Sequence, residues 1–220
     1  MRILITCGPS WEPIDQARRI TNFSTGRLGA VLCDAFAASG HAVTCLRGEG
    51  STHPAPRHAA DLRHFATNND LIRHLETLAG PGAFDAVLHA AALCDYRVEE
   101  VRDDGGSPVR SAKFATRDGR LHLNLAPAAK VLPRLRDWFP SARIAGWKYE
   151  LSGTREDALA RAWRQITENR TDACVLNGAA YGQGFAVCEA GGAVRRCLEP
   201  ADLALLLEGW LESGGPGVRP

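Results

Sequence analysis

The stretch RRITNFSTGRLGAVLCDAF, residues 18–36, joins a polar loop to a helix soon after an apolar run at residues 3–5. Its apolar positions 28, 31, 32, 35 and 36 follow the i, i+3, i+4, i+7, i+8 spacing of an amphipathic helix. A strand followed by a loop and a helix opens many nucleotide-binding α/β folds. The G-x-G-x-x-G turn that usually joins the two is missing from this sequence.

The loop that replaces this glycine-rich turn has the composition of an anion-binding site. It carries Asn22, Ser24 and Thr25, and it closes on Gly26 and Gly29. We expect Ser24 or Thr25 to cap the helix, whose first backbone N–H groups and dipole favour a phosphate. The two glycines would let a ligand and a neighbouring strand approach the backbone closely.

Outward from this stretch, strand-like apolar runs alternate with helical patterns. The strand-like runs are residues 3–5, 43–46, 86–88, 144–147 and 173–176. The helical patterns cover residues 28–36, 71–78, 132–138, 159–166 and 203–211. We expect Asn68 or Asn69 to cap the second helix and Pro200 to lie in the first turn of the last one.

Such alternation predicts an α/β fold: a Rossmann-like, mostly parallel sheet flanked by helices and built from right-handed crossovers. Parallel sheets of this kind bind ligands beyond the carboxyl ends of their strands, where the strand order reverses. The candidate site loops are therefore those that follow residues 5, 46, 90, 147 and 176.

The composition is that of a soluble globular protein, with 220 residues, 45% of them hydrophobic and 23% charged. A formal net charge of +1 does not suggest a nucleic-acid partner, and no apolar run reaches the length of a membrane span. The N-terminus leads straight into a strand without a signal-peptide pattern, so the cytoplasm is the expected compartment. We expect one domain over residues 1–212 and a flexible tail over residues 213–220.

The cysteines and histidines suggest neither disulfides nor a protein-held metal. Seven cysteines are present, an odd number without a C-x-x-C pair, and those at 7, 33, 45 and 174 lie in apolar patterns. We expect small, buried, reduced side chains. The seven histidines form no close pair with metal-ligand spacing, so a zinc site is not predicted.

Two segments interrupt the alternation. Residues 98–126 are polar, with a turn signal at 117–119 and alternating residues at 121–125, which predicts an inserted β-hairpin attached to the sheet. It would be a flap, a partner-binding arm or a plain surface excursion. The segment AAALCDYR, residues 90–97, ends a strand with small residues that suit a flat ligand. Asp95 would accept hydrogen bonds from that ligand or, alternatively, cap a helix.

Five segments resemble the phosphopantothenoylcysteine synthetase family, in the family's order and over nearly the whole chain. EPIDQARRITNFSTGRLG, residues 12–29, resembles the pattern E-P-I-D-x-V-R-x-I-T-N-x-S-x-G-x-x-G. AAALCDYR resembles A-A-A-V-x-D-Y-x, and SAKFATRDGRLHLNLAPAAKVL, residues 111–132, resembles a stretch with a lysine, an L-x-L-x-L strand and P-K-I-[IL]. IAGWKYEL, residues 144–151, is similar to G-F-K-x-E, and DACVLNG, residues 172–178, to D-x-I-[IV]-A-N-D.

The resemblance implies a Rossmann-like homodimer that joins L-cysteine to 4′-phosphopantothenate in coenzyme A biosynthesis. It implies CTP or ATP as co-substrate, with Mg²⁺, and an acyl-nucleotide intermediate that forms with release of pyrophosphate. Many bacterial relatives fuse this unit to a flavin-containing decarboxylase. Because the sequence starts at the synthetase's first strand, we expect no flavin.

The resemblance also implies a role for each matching residue. The residues that would bind substrate are Asn22, Ala91, Ala92 and Asp95. Arg18 would reach the substrate phosphate in the site of the other subunit. The residues that would bind the nucleotide are Gly8, Ser24, Gly26, Gly29, Lys113, Trp147, Arg164 and Asn177. Asn22 and Lys113 would act in catalysis. The residues alone leave an alternative to each binding role: Trp147 as a core aromatic, Asn177 as a turn residue and Arg18 as a solvated charge.

The chain departs from the family pattern on one helix. Arg164 and Glu168 fall near the places where bacterial members carry two lysines that meet the triphosphate. A carboxylate at 168 repels a triphosphate, although Lys148 or Arg161 could compensate. The alternative function is therefore a catalytically weak synthetase-like protein that only binds nucleotide or metabolite. An NAD(P)-dependent short-chain reductase would need a Tyr-x-x-x-Lys pair, which this sequence lacks.

Overall fold

The structure is a computed structural model that describes residues 1–213. At Asp118 it describes the backbone and not the side chain. The strands in this part of the chain are β1 (Arg2–Cys7), β2 (Trp11–Pro13), β3 (Arg19–Thr21), β4 (Ala42–Gly48), β5 (Asp61–Phe65), β6 (Ala86–His89), β7 (Tyr96–Arg102), β8 (His122–Pro127), β9 (Arg143–Tyr149), β10 (Ala173–Gly178), β11 (Gly182–Glu189) and β12 (Val194–Cys197). The helices are α1 (Arg27–Ala38), α2 (Asn68–Leu78), α3 (Leu135–Trp138), α4 (Arg155–Asn169) and α5 (Pro200–Ser213). Short 3₁₀ helices lie at Thr116–Asp118 and Leu132–Arg134.

An eight-stranded sheet in the order β12-β11-β10-β9-β6-β1-β4-β5 forms the centre of the fold. The strands from β10 to β5 in this order run parallel, and β11 and β12 continue the sheet antiparallel. After β1 the chain adds β4 and β5 on one side, then returns to place β6, β9 and β10 on the other. The predicted Rossmann-like α/β fold is confirmed, and its switch point lies between β1 and β6.

Helices cover both faces of the sheet because the strand side chains alternate between two cores. Ile3 and Ile5 of β1 face a cluster built with α1 and α5, in which Phe36 and Trp210 are fully buried. Leu4, between them, faces the opposite cluster with α2 and α3. A third cluster packs α4 against β10 and β11. Six of the seven cysteines are buried, and all seven are free, as expected.

Helix α1 begins differently from the prediction. Its N-cap is Gly26, with φ of 76°, and no side chain caps it. The predicted cap by Ser24 or Thr25 is therefore wrong. The left-handed conformation of Gly26 turns the chain into the helix, and the Thr25 hydroxyl accepts only a 3.3 Å hydrogen bond from the N–H of Arg27.

Helix α2 is capped by Thr67, whose hydroxyl accepts the N–H of Asp70 at 3.1 Å. The predicted cap by Asn68 or Asn69 is wrong, because the Asn68 amide is buried and bonded to other loops. Pro200 is the first residue of α5, as predicted.

The inserted hairpin is longer than predicted and forms its own sheet. β7 and β8 pair antiparallel over Tyr96–Arg102 and His122–Pro127, and they are not part of the eight-stranded sheet. The chain already turns back at residues 103–107, where Gly105 and Gly106 allow a tight turn. The predicted turn at 117–119 is instead a 3₁₀ helix over Thr116–Asp118.

The predicted domain limits are not decided by these elements. The single domain over residues 1–212 stays a prediction. Of the tail over residues 213–220, Ser213 is the last residue of α5, and the remainder lies outside the described residues. Within residues 1–213, no helix combines the length and the apolar character that crossing a membrane requires.

The contact between α1 and β1 gives a stability prediction. A Cβ on Gly29 would lie 2.0 Å from Cβ of Cys7, so the helix has no room for a side chain there. We expect Gly29→Ala to lower the free energy of unfolding by roughly 1–3 kcal/mol.

The matched control is Gly209→Ala in α5, where an added Cβ meets nothing within 4 Å. Alanine favours helix more than glycine does, so this variant should raise the free energy of unfolding by about 0.5–1 kcal/mol. Urea unfolding followed by circular dichroism measures both. Equal effects of the same sign would contradict the close packing at Gly29.

Candidate active site

A cavity of about 1480 Å³ lies at the carboxyl ends of the central strands, at the switch point between β1 and β6. Its walls come from the loop before α1 (residues 22–26), the loop after β6 (residues 90–95), residues 129–133, the end of β9 and one face of α4. This is the place where open parallel sheets bind ligands, and the volume is enough for two small molecules side by side.

The described side chains that line the cavity are more often basic than acidic. The basic ones are Arg27, Lys130, Lys148, Arg161 and Arg164, and the acidic ones are Asp95 and Glu168. Some of this charge is already paired: Lys130 contacts Asp95, and the Glu150 carboxylate lies 2.5 Å from Arg161 and 3.5 Å from Lys148. The remaining positive potential favours anionic ligands.

The loops after β1 and β4 close tightly beneath the start of α1. Gly8 and Gly26 both have positive φ, and a Cβ on either would lie within 2.7 Å of Ser51 Oγ. Only a residue without a side chain fits at these two positions. The N–H of Arg27 meets the Thr25 hydroxyl, but the next N–H groups of α1 have no side-chain cap and can bind an anion in the cavity.

Asn22 ties two walls of the cavity together. Its Nδ2 donates hydrogen bonds to the carbonyl oxygens of Ala92 at 3.1 Å and Leu93 at 2.9 Å. Both amide hydrogens are used in this arrangement, and no residue in the described part of the chain bonds the side-chain oxygen. The loop before α1 is thereby held against the loop after β6.

A buried polar network also fixes the loop after β6. Asn68 is 2% exposed, and its oxygen accepts the Ser10 hydroxyl at 2.7 Å. Its Nδ2 donates to the carbonyl oxygens of Cys94 at 2.8 Å and Ala129 at 3.0 Å, and Ser10 Oγ accepts the N–H of Cys94. A fully satisfied buried network of this kind fixes the positions of its members.

One titratable group forms part of the cavity floor. His89, the last residue of β6, is 6% exposed, and its Nδ1 lies 2.7 Å from the hydroxyl oxygen of Thr6 on β1. Burial lowers the pKa of His89 to about 4. The imidazole is therefore neutral throughout the physiological pH range.

The chain matches a known family over most of its length. The sequence model described as DNA/pantothenate metabolism flavoprotein C-terminal domain matches residues 1–194. The chain belongs to this family. One relative is the coenzyme A biosynthesis bifunctional protein CoaBC of Thermococcus kodakarensis, 28% identical over 179 residues. The match covers 80% of this chain and 41% of that relative, so the chain spans less than half of the relative's length.

Solved structures share the fold. The crystal structure of the DNA/pantothenate metabolism flavoprotein from Streptococcus pneumoniae has a TM-score of 0.83 and 20% identity, and the match covers 97% of this chain and 99% of that one. A histidine-to-alanine mutant of Cab2 in complex with phosphopantothenate-cysteine has a TM-score of 0.72 and 19% identity, covering 96% of this chain and 86% of that one. At such identities the likeness concerns the fold.

In this member of the family, the structure brings eleven of the thirteen predicted site residues to the cavity. They are Gly8, Asn22, Ser24, Gly26, Gly29, Ala91, Ala92, Asp95, Trp147, Arg164 and Asn177. They come from six separate segments of the sequence, and the switch-point geometry is what unites them. Their individual roles stay predictions.

Arg18 and Lys113 do not line the cavity. The Arg18 guanidinium donates to the carbonyl oxygen of Phe114 at 2.6 Å and lies 3.1 Å from Asp15. Asp15 in turn accepts the N–H of Phe114 at 3.2 Å, and Gln16 donates its N–H to Ala112. These bonds fix the segment that carries Lys113, which is itself exposed, away from the cavity.

Sequence reasoning missed three groups that shape the site. His89 and Lys130 line the cavity, and Asn68 anchors the loops around it. The signal for His89 was present: it is a polar residue that ends an otherwise apolar strand, directly before the small residues at 90–92. The partners of Lys130 and Asn68 are distant in sequence and carry no local pattern.

The buried histidine predicts a pH dependence of stability. An unfolded chain protonates histidine near its ordinary pKa of 6.5, whereas folded His89 protonates only near 4. The unfolded state then binds more protons between these values. The free energy of unfolding should therefore fall as pH drops from 6.5 to 4, by up to about 3 kcal/mol from this residue, and be fully recovered above 6.5.

Other groups titrate in the same range, so the comparison is with His89→Gln, which lacks the ionisable ring. Urea unfolding at several pH values between 4 and 7.5 measures both proteins. The difference between them should change with pH in the stated direction. Parallel curves would show that His89 is not buried neutral.

Proposed function

We propose that this chain is a phosphopantothenate–cysteine ligase that joins L-cysteine to 4′-phosphopantothenate with consumption of CTP or ATP. The observation that carries the proposal is the meeting of eleven predicted site residues in one basic cavity at the switch point. The relative named for coenzyme A biosynthesis and the fold neighbour in complex with phosphopantothenate-cysteine support the same substrates.

The chemistry requires two steps, because a carboxylate cannot itself expel oxide when an amine attacks. First, a carboxylate oxygen attacks the α-phosphorus of the nucleotide, and pyrophosphate leaves. The cysteine nitrogen then attacks the acyl carbon, the bond to the phosphate-bearing oxygen breaks, and nucleoside monophosphate leaves while the amine loses a proton. The protein has to bring anions together and stabilise the charge that develops at the α-phosphate and the acyl oxygen.

The nucleotide fits the end of the cavity between α1 and α4. The uncapped start of α1 offers N–H groups to phosphate oxygens. Trp147 and Phe185 both line the cavity and pack against the core cluster that contains α1, so they give the base or ribose an apolar wall. Arg164 faces the cavity from α4 and forms no ion pair with any described residue, so its charge is available to a triphosphate.

Mg²⁺ is expected to enter with the triphosphate, whose charge it neutralises. The described residues contain no group of three or more His, Cys, Asp or Glu side chains that could hold a metal ion alone. Magnesium commonly binds through substrate phosphates and one or two carboxylates. Glu168, on the α4 wall, is a carboxylate suited to that contact. The choice between CTP and ATP and the absence of flavin stay predictions.

The acid fits the other end, at the loop after β6. Ala91 and Ala92 leave space for the pantothenate part, and Asp95 offers its carboxylate beside Lys130. Asn22 closes this end, since its amide holds the loop through Ala92 and Leu93. Its free side-chain oxygen can accept a hydrogen bond from the substrate or from the cysteine amine.

Arg18 and Lys113 act in a neighbouring subunit's site. Both lie away from their own cavity, on segments bonded to each other. Nearby on β7 and β8, Tyr96, Leu123 and Leu125 expose 55%, 37% and 47% of their surface, which a second copy of the chain would cover. This arrangement supports a homodimer with two shared sites.

The activity is tested by measuring product release with CTP and with ATP. Pyrophosphate release should need both the nucleotide and 4′-phosphopantothenate, and nucleoside monophosphate release should need cysteine as well. A protein that binds these ligands without releasing pyrophosphate is the weak synthetase-like alternative. Release that persists without phosphopantothenate would contradict the ordered mechanism.

The shared site is tested with two inactive variants. Asn22→Asp places a carboxylate against two carbonyl oxygens and should lower the rate by about 10²–10³-fold. Arg18→Ala should mainly weaken substrate binding. After subunit exchange, a mixed dimer has one site with both defects and one with neither, so roughly a quarter of the wild-type activity should return. No recovery despite heterodimer formation would place both residues in one subunit's site.

A further inference from the structure

The His89 side chain lies directly across the switch point from Thr6. The two residues are cross-strand partners in the parallel pairing of β6 with β1, and His89 is also the partner of Gly146 on β9. Thr6 is fully buried and His89 nearly so. The 2.7 Å contact between Thr6 Oγ1 and His89 Nδ1 fixes the ring at the floor of the cavity.

The hydroxyl decides which ring nitrogen carries the proton. The Thr6 hydroxyl has no other hydrogen-bond partner among the described residues. If Nδ1–H donated to Thr6, the hydroxyl hydrogen would be buried without an acceptor, which is costly. If Thr6 donates to Nδ1, every buried group is satisfied and the ring hydrogen lies on Nε2. The second arrangement is therefore favoured.

The Nε2 side of the ring reaches the cavity. None of the described residues bonds Nε2, yet it is not among the fully buried polar atoms without a partner. The ring lines the cavity together with Leu132 and Gln165, which pack over its neighbour Gly146. The N–H of Nε2 is therefore a donor that a ligand can meet.

We propose that His89 is a neutral hydrogen-bond donor whose Nε2–H binds an oxygen of the reacting carboxyl group and stabilises the negative charge on it. This assignment rests on the proposed function. When the cysteine nitrogen adds to the acyl carbon, an electron pair moves onto the acyl oxygen, and His89 donates to that oxygen. The pair then returns, the bond to the phosphate-bearing oxygen breaks, and the amine proton goes to solvent while His89 keeps its own.

His89 adjoins the loop proposed to hold the acid, and it faces away from α1, one of the two helices proposed to border the nucleotide. Cys7, next to Thr6 on β1, faces α1 and touches Gly29, so Thr6 and His89 face away from the uncapped start of α1. The loop that holds the acid continues directly from His89 as residues 90–95.

A neutral donor suits this position. The charged groups that line the same cavity are Lys130 paired with Asp95, Lys148 and Arg161 paired with Glu150, and Arg27, Arg164 and Glu168. Burial keeps His89 uncharged beside them at neutral pH. The acyl oxygen is uncharged in the acyl-nucleotide and becomes negative when the amine adds, so the hydrogen bond from an uncharged donor strengthens in that step.

The kinetic test compares two substitutions. His89→Gln keeps an N–H donor without a basic ring, and His89→Leu removes the donor. We expect His89→Leu to lower the rate of amide formation by roughly 10²-fold and His89→Gln to stay within about fivefold of the wild type. A general base would be lost equally in both variants, so equal losses overturn the donor role. His58→Leu, at a histidine whose side chain is 67% exposed, is the control and should leave the rate unchanged.

A spectroscopic test stands apart from activity. In ¹⁵N-labelled wild-type protein, long-range ¹H–¹⁵N spectra of the His89 ring should show a protonated Nε2 and an unprotonated Nδ1 from pH 5.5 to 8. Saturating 4′-phosphopantothenate, added without nucleotide, should shift the Nε2 resonance, and nucleotide alone should shift it less. The opposite tautomer, or no shift with the acid, overturns the proposal. Absence of pyrophosphate release by the wild type would instead defeat the proposed function, and these spectra would still show whether the His89 ring contacts the bound acid.

Discussion

Parallel pairing of β1 with β4 on one side and β6 on the other is the constraint on which the site depends. The three central residues of β1 are fully buried, so the strand cannot shift without exposing both cores. Since the chain leaves β1 in one direction and returns to β6 on the other side, the loops after these strands diverge. The crevice between them is a result of topology, and it would exist with other loop sequences.

The loops around that crevice are positioned mainly by side-chain amides. The Asn22 amide donates to the carbonyl oxygens of Ala92 and Leu93 in the loop after β6. The Asn68 amide donates to the carbonyl oxygen of Cys94 in the same loop. Asparagine suits this task because a single amide group can donate twice and accept once, and so join segments that have no ladder hydrogen bonds of their own. The cavity is therefore held by a few polar contacts, while the hydrophobic cores hold the strands that present it.

The sequence predicted what depends on local pattern. The apolar runs of β1, β4 and β9 and the period of α1 were sufficient for the fold class. β5 was missed because its residues, Asp61–Phe65, are half polar and lie near the sheet edge. The cap of α1 was missed because Gly26, in a left-handed conformation, takes the N-cap position. The neighbouring Ser24 and Thr25 are residue types that commonly cap helices, and so they led to the wrong prediction.

Most of the candidate site was also predictable, because motif residues adjoin strand ends and the topology then unites them. The position of Lys113 was not, since it depends on Asp15 holding Phe114 across 99 positions of sequence. His89 ends an apolar strand and so had a local signal, but the hydroxyl that fixes its ring lies 83 positions away.

The state of the cysteines has a consequence for a protein whose proposed substrate carries a free thiol. Burial raises the pKa of the Cys188 thiol to about 11 and also raises that of Cys174. Thiol–disulfide exchange proceeds through the thiolate, and attack requires access to the sulfur. Cysteine and its oxidised form, cystine, can therefore accumulate around the protein without forming mixed disulfides with these residues. Burial therefore keeps Cys174 and Cys188 from reacting with the thiol of the proposed substrate.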